Sequence, residues 1–454
     1  MKSKCVLITI SHLGVGGTEI QTLNTVRALI SGGYKVVVLC LYRHIASIVE
    51  EYEKNGAIVY CASPHYNDYS INIVYPQRFR LLFFLYKHLR SIIKREKIDI
   101  IHVQHITPAS SVILVLYFLL FKRNIIATAH TSADIYKDLR LIHFLQRHCL
   151  RAFTCITERA ERSFFGSSQL YTTDTVLGKR NHFTIYNALP KATALQSTVN
   201  GQQTTDFSNQ RDNTEFRHDD ACFACVGQDS QRLNVAVNEN ENCHPDGDIQ
   251  HSTLTLAPAG VDLRFNVQHN HSTFAVIGVV SRLEPIKGMD LVVPAFAEVL
   301  KKFPEARLLV VGDGSLRAMM EQQAAELGCA NRITWVGRQP QEELNKWYGQ
   351  MDIVLMPSRS EGFGLTAIEA MANGCVMVAS EVGGLPEVVR DGECGLLHRC
   401  EDVQDMADKI CTLLGDNELY NRLRTQALCE VKKYSFERYA ELVCNLYNKI
   451  CNEQ

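Results

Sequence analysis

No strong charge of either sign marks this chain of 454 residues: 47 lysines and arginines stand against 49 aspartates and glutamates, a formal net of -2. A dedicated nucleic-acid binder shows a marked basic excess, so no nucleic-acid partner is expected. No apolar run is long enough to span a bilayer, which takes ~20 residues. The longest, Val112 to Phe121, is closed by Lys122-Arg123. The start, MKSKCVLITISHLG, has no secretory core followed by a small-residue cleavage site. It reads as a buried strand entering a glycine turn. The 16 cysteines lack the regular spacing of a disulfide framework. Most are expected to be free, small apolar residues in a reducing, cytoplasmic setting. Nor is the composition that of a disordered chain, since 46% of it is hydrophobic. The length suits two or three domains with sizeable cores.

The neutral total hides an asymmetry. Residues 1–190 carry 23 basic and 12 acidic side chains, a net of +11, and residues 191–454 carry a net of -13. A basic half suggests contact with something anionic, such as membrane phosphates or a phosphorylated substrate.

Short β-rich runs alternate with helical stretches through the first half. Cys5–Ile10, Lys35–Leu41, Ala57–Cys61, Ile98–Val103, Ile125–His130 and Phe153–Thr157 read as strands. From Lys191 to about His271 the periodicity stops, and Gln, Asn, Asp, Ser and Thr dominate. Such a segment buries too little to offset its ordering entropy, so a disordered insertion or linker is expected over 191–271. The alternation resumes with strands at Phe274–Val280, Arg307–Val311, Ile333–Val336, Ile353–Met356 and Val376–Ala379. Two doubly wound α/β domains follow, with a cleft between their strand ends.

Three glycine-containing clusters carry the chemistry. The first, His12-Leu13-Gly14-Val15-Gly16-Gly17-Thr18-Glu19, follows a strand and opens a helix. Small residues let backbone approach a ligand, and the helix start favours negative charge. A plain tight turn is the alternative. A dinucleotide site would need an acid ending the second strand, and Val36-Val37-Val38-Leu39-Cys40-Leu41-Tyr42 has none. The second cluster, Ser281-Arg282-Leu283-Glu284-Pro285-Ile286-Lys287-Gly288, places two cations where they could converge on one diphosphate. A solvated loop is the alternative. The third runs from Ser360 to Met371. Gly362, Phe363, Gly364 and Leu365 could present backbone N–H groups at a helix start. Glu369 sits in an apolar helical stretch and needs a partner, either ligand hydroxyls or a protein cation.

In this order and at these separations, the clusters resemble glycosyltransferase family 4, the large retaining group with the two-domain GT-B fold. The loops Gly383-Gly384-Leu385-Pro386-Glu387 and Asp391-Gly392-Glu393-Cys394-Gly395-Leu396-Leu397 match its later motifs. The resemblance covers all but residues 191–271. It implies an acceptor-binding domain over 1–190 and a nucleotide-sugar domain over 272–436. A last helix, 437–454, would return to the first domain.

By the same resemblance, Arg282 and Lys287 neutralise the donor diphosphate, Glu369 binds the ribose, and Glu361 contacts the transferred sugar. Gly16, Gly17, Gly362, Phe363, Gly364 and Leu365 complete the cradle. Val336-Gly337-Arg338 borders the base, and His130 faces the reacting sugar. Neither cofactor nor metal is implied. The partners implied are a UDP- or GDP-sugar and a lipid-linked or lipopolysaccharide-type glycan at the inner face of the cell membrane. Two departures bear on acceptor contacts: Asn187-Ala188 stands where Asn-Gly is common, and Thr131 where an acid is common.

Arg78 to Lys97 carries seven cations against Glu96 alone, with Leu82, Leu85, Leu89 and Ile93 at helical spacing. It is expected to meet an anionic membrane, the alternative being a core-packing helix with a solvated face. Cys222, Cys225, Cys243 and His244 fit no standard zinc spacing. Asp246-Gly247-Asp248 lies in the polar insertion and is given no role. A sugar-nucleotide epimerase, or a non-catalytic sugar-nucleotide-binding partner, is the alternative function.

Overall fold

The computed structural model describes residues 4–62, 86–87, 89–104, 124–136, 138–178, 180–190 and 275–452. Three expectations lie outside them: the segment 191–271 with its Asp and Cys/His motifs, the run Val112 to Phe121, and the N-terminal part of the basic segment, 78–85.

Seven parallel strands build the first sheet: β1 (Cys5–Leu13), β2 (Lys35–His44), β3 (Ile58–Cys61), β4 (Ile100–Val103), β5 (Ile125–Ala129), β6 (Ala152–Cys155) and β7 (His182–Thr184). Their order is β3-β2-β1-β4-β5-β6-β7. Six more build the second: β8 (Val276–Val280), β9 (Arg307–Val311), β10 (Ile333–Gly337), β11 (Ile353–Met356), β12 (Val376–Ser380) and β13 (Gly395–His398). Their order is β10-β9-β8-β11-β12-β13. This is the expected pair of doubly wound α/β lobes, the GT-B architecture.

The central apolar runs are strands because each is buried on both faces, whereas the edge strand β3 is partly exposed. Cys5, Leu7, Leu39, Ile101, Ala127 and Phe153 pack on one side of the first sheet. Val6, Ile8, Val38, Ile100 and Ile126 pack on the other. The second side is covered by the helix Gly17–Ser31 and by the helix Phe436–Asn452, whose Tyr439, Val443, Leu446, Tyr447 and Ile450 are buried there. The last helix therefore closes the core of the first lobe. Each such side chain contributes roughly 1.5–3 kcal/mol when fully buried.

The strand order reverses between β1 and β4, and again between β8 and β11. Loops at the carboxyl ends of strands flanking such a reversal diverge and leave a crevice. That brings together the loops after β1 and β5 in one lobe and after β8 and β11 in the other.

Candidate active site

A cavity of about 950 Å³ lies between these loops. Gly16, Gly17, His130, Arg282, Lys287, Glu361, Gly362, Phe363, Gly364, Leu365 and Glu369 all line it. The sequence assigned every one of them.

Of the segment Val336-Gly337-Arg338, it is Arg338 that lines the cavity. Gly337 ends β10 with φ 78°, a left-handed turn that directs the chain, and with it Arg338, to the wall. Gln339, Gln341 and Leu344 continue this side.

Two helix starts meet in the cavity. Gly16 precedes the helix Gly17–Ser31 and Gly364 precedes the helix Leu365–Ala372, and neither start has a side-chain cap. A Cβ on Gly17 would lie 3.4 Å from Leu365 Cδ1, so the two starts are neighbours. The first N–H groups of a helix have no partner within it, and the macrodipole makes both ends positive. Arg282 and Lys287 add formal charge to the same wall. The combination is suited to a diphosphate.

The acids are arranged against that positive field. Lys287 Nζ donates to Glu361 Oε2 at 2.6 Å, so the two form an ion pair. Glu369 is 8% exposed and accepts from Tyr348 Oη at 2.9 Å and Gln341 Nε2 at 2.8 Å. Burial raises its pKa to about 7 against these two bonds, which lower it. Among the described residues its partners are these neutral donors and not a cation. Glu19, quoted from the first loop but given no role, also lines the cavity. Burial raises its pKa, while bonds from its own N–H and that of Gly14, and the nearby Arg282 charge, pull it down.

His130 closes the floor. Its Nε2 lies 3.0 Å from Gln104 Oε1, and Gln104 Nε2 donates to Thr25 Oγ1 at 3.2 Å. The Thr25 hydroxyl donates to the Gln21 carbonyl, so it accepts from Gln104 and from Tyr439 Oη at 2.7 Å. Gln104 is therefore fixed with its oxygen towards His130, and His130 donates through Nε2. Next to it His102 bridges Tyr447 Oη at 2.5 Å and Thr128 Oγ1 at 2.7 Å. Burial and the neighbouring His130 push its pKa down to about 3, so it stays neutral.

Sequence reasoning missed Gln104, which sits one residue beyond a strand and has no motif around it. It also missed Tyr348 and Gln341. Their only signal was the rule that a buried Glu369 must have partners.

The lobes touch directly. Gly362 packs so closely on the His130 carbonyl that a Cβ there has no room. The Glu387 carboxylate accepts from the N–H groups of Glu158 at 2.8 Å and Arg159 at 2.5 Å. An acid of the second lobe thus caps the helix Glu158–Phe165 of the first, beside that helix's own Thr157 cap.

Comparison with known proteins identifies the family. A family described as "Glycosyl transferases group 1" matches residues 263–428, and one described as "Glycosyltransferase Family 4" matches residues 15–170. The chain belongs to glycosyltransferase family 4. It is 38% identical over 180 residues to a D-inositol 3-phosphate glycosyltransferase of Nocardia farcinica, covering 38% of this chain and 40% of that protein. It is 32% identical over 231 residues to the protein of that name from Corynebacterium urealyticum, covering 49% and 53%. The match thus spans about half the length of these relatives or less. Among solved structures, a glycosyltransferase from Rickettsia africae superposes with a TM-score of 0.66 at 16% identity over 100% of both chains. Anabaena Alr3699/HepE, in complex with UDP-glucose, superposes with 0.63 at 17% identity over 97% and 98%. At such identities these structures establish the family's fold.

Proposed function

We propose that the protein transfers a sugar from a nucleoside-diphosphate sugar to a glycan acceptor with retention of anomeric configuration. The observation that carries this reading is the single cavity in which two uncapped helix starts, Arg282 and Lys287 face the buried Glu369. The bond from the anomeric carbon to the β-phosphate oxygen breaks, and negative charge collects on the departing diphosphate. Fixed cations and N–H dipoles meet that charge where it develops. Glu369 accepts from the ribose hydroxyls, and Glu361, once released by Lys287, accepts from the sugar. His130 and the Gly362 backbone hold the sugar from the two lobes. Protein groups carry the phosphate charge without metal.

The acceptor is read as a lipid-linked, lipopolysaccharide-type glycan at the inner face of the cell membrane, in keeping with the +11 of residues 1–190. No described helix is long and apolar enough to cross a membrane. A second reading, a small phosphorylated acceptor, is favoured by the name of the Nocardia and Corynebacterium relatives.

A thermal-shift screen of UDP-, GDP- and ADP-sugars tests the donor. Binding raises apparent stability by about 2.7 kcal/mol at a hundredfold excess over Kd, so one nucleotide should stand out. Product NMR with lipid-linked and inositol 3-phosphate acceptors then separates the two acceptor readings. Absence of any shift with every nucleotide sugar would overturn the donor assignment.

A further inference from the structure

The uncovered side of the helix Arg140–His148 is unusual for a soluble surface. Its Ile142 and Leu145 pack into the core on one face of the first sheet. Residues 89–96 are helical and send Leu89 and Ile92 into that same core. Both segments therefore turn their outer sides in the same general direction. The outer side of 89–96 carries Arg90, Lys94 and Arg95, all exposed. That of Arg140–His148 carries exposed Arg140, Arg147 and His148.

Between those cations stand Leu141 at 43% and Phe144 at 55% exposure, with the Phe144 ring 4.8 Å from that of His148. At 100° per residue, Phe144 points away from Ile142 and Leu145, with His148 beside it, and Leu141 lies on the flank of the same exposed side, about 40° from Leu145. A helix that already buries one apolar stripe gains nothing in water from a second. The acids nearby are engaged: Glu96 with Lys35 and Arg95, and Asp138 with Arg140.

We infer that Leu141 and Phe144 insert into the headgroup region of an anionic bilayer, with the cations of both helical segments against its phosphates. Apolar side chains ringed by Lys and Arg, with little unpaired acid, match the chemistry of such a surface. Charge alone would equally fit a polyanion. The apolar pair is what selects a bilayer, because nucleic-acid backbone offers no apolar layer to receive it. The inference deepens the lipid-linked reading of the acceptor, but stands on this surface and not on the active-site cavity.

The test is co-sedimentation of the full chain with phosphatidylcholine vesicles, with and without phosphatidylglycerol, in the absence of donor and acceptor. Wild type should bind the anionic vesicles and lose binding in high salt. The double variant Leu141→Ser, Phe144→Asp should bind at least about tenfold more weakly. Its melting temperature and its shift with nucleotide sugar should match wild type. Arg90→Glu with Arg147→Glu should weaken binding similarly. Three results would each overturn the inference: equal binding to neutral vesicles, unchanged binding by the apolar variant, or binding to RNA but not to vesicles. Vesicle binding without sugar transfer would refute the proposed reaction and leave this surface standing.

Discussion

Replacing Glu369 by Gln should stabilise the empty protein and impair donor binding. The wild-type carboxyl titrates at about 7 in the folded protein against an ordinary 4.5. A raised pKa means that folding favours the protonated form. The stabilisation is complete below pH 4.5 and is lost as pH rises through about 7. The difference corresponds to about 3 kcal/mol. Gln never ionises, so it escapes that loss. It cannot accept from both Tyr348 and Gln341 as the carboxylate does, which costs about 1 kcal/mol. The net gain at pH 8 is about 2 kcal/mol, or roughly 4–8 °C in Tm. At pH 5 it should vanish.

Donor binding runs the other way. Ribose hydroxyls need the carboxylate, so Glu369→Gln should weaken nucleotide-sugar binding roughly tenfold to a hundredfold at pH 8. Wild-type affinity should fall about tenfold from pH 8 to pH 6, and the variant's should not. Calorimetric melting from pH 5 to 8, with titration of the donor found by screening, measures both effects. A Tm difference between variant and wild type that ignores pH would refute the account of Glu369.

Gly362→Ala should push the lobes apart at the His130 carbonyl and cut turnover by at least about tenfold, with circular dichroism unchanged. Gln104→Leu deprives the His130 Nε2–H of its acceptor. It should lower kcat roughly a hundredfold while donor KM moves little, and the His130 ¹⁵N shifts should report a changed tautomer balance. Glu387→Ala removes the inter-lobe cap at about 1–2 kcal/mol. Hydrogen exchange should accelerate at Glu158 and Arg159 ahead of the rest of their helix.

Strands such as Arg307–Val311 and Ile353–Met356 were legible to the residue, because parallel strands buried on both faces are continuous apolar runs. The short strands β7 and β13 were not. His182-Phe183-Thr184 owes its strand state to pairing with β6, not to its own pattern. The donor side of the site was legible because phosphate binding needs glycines and cations at strand ends, and these leave a local signature. The supports of His130 and Glu369 were not. Gln104, Tyr439 and Tyr348 come from distant parts of the chain, and an ordinary polar residue shows no sign of what it faces.

The helix Phe436–Asn452 makes the second lobe an insertion within the first. The chain leaves the first lobe after β7, builds the six-stranded sheet, and returns to fill the groove against Gly17–Ser31. The two lobes are therefore not equally separable. A fragment spanning 275–435 would keep its own sheet and lose only Ile156 and Leu189 from its core, whereas one ending at 190 would bare Leu23, Val26 and Leu29 to water. A circular permutant that begins at Phe436 and runs directly into β1 would be the natural way to make the first lobe stand alone.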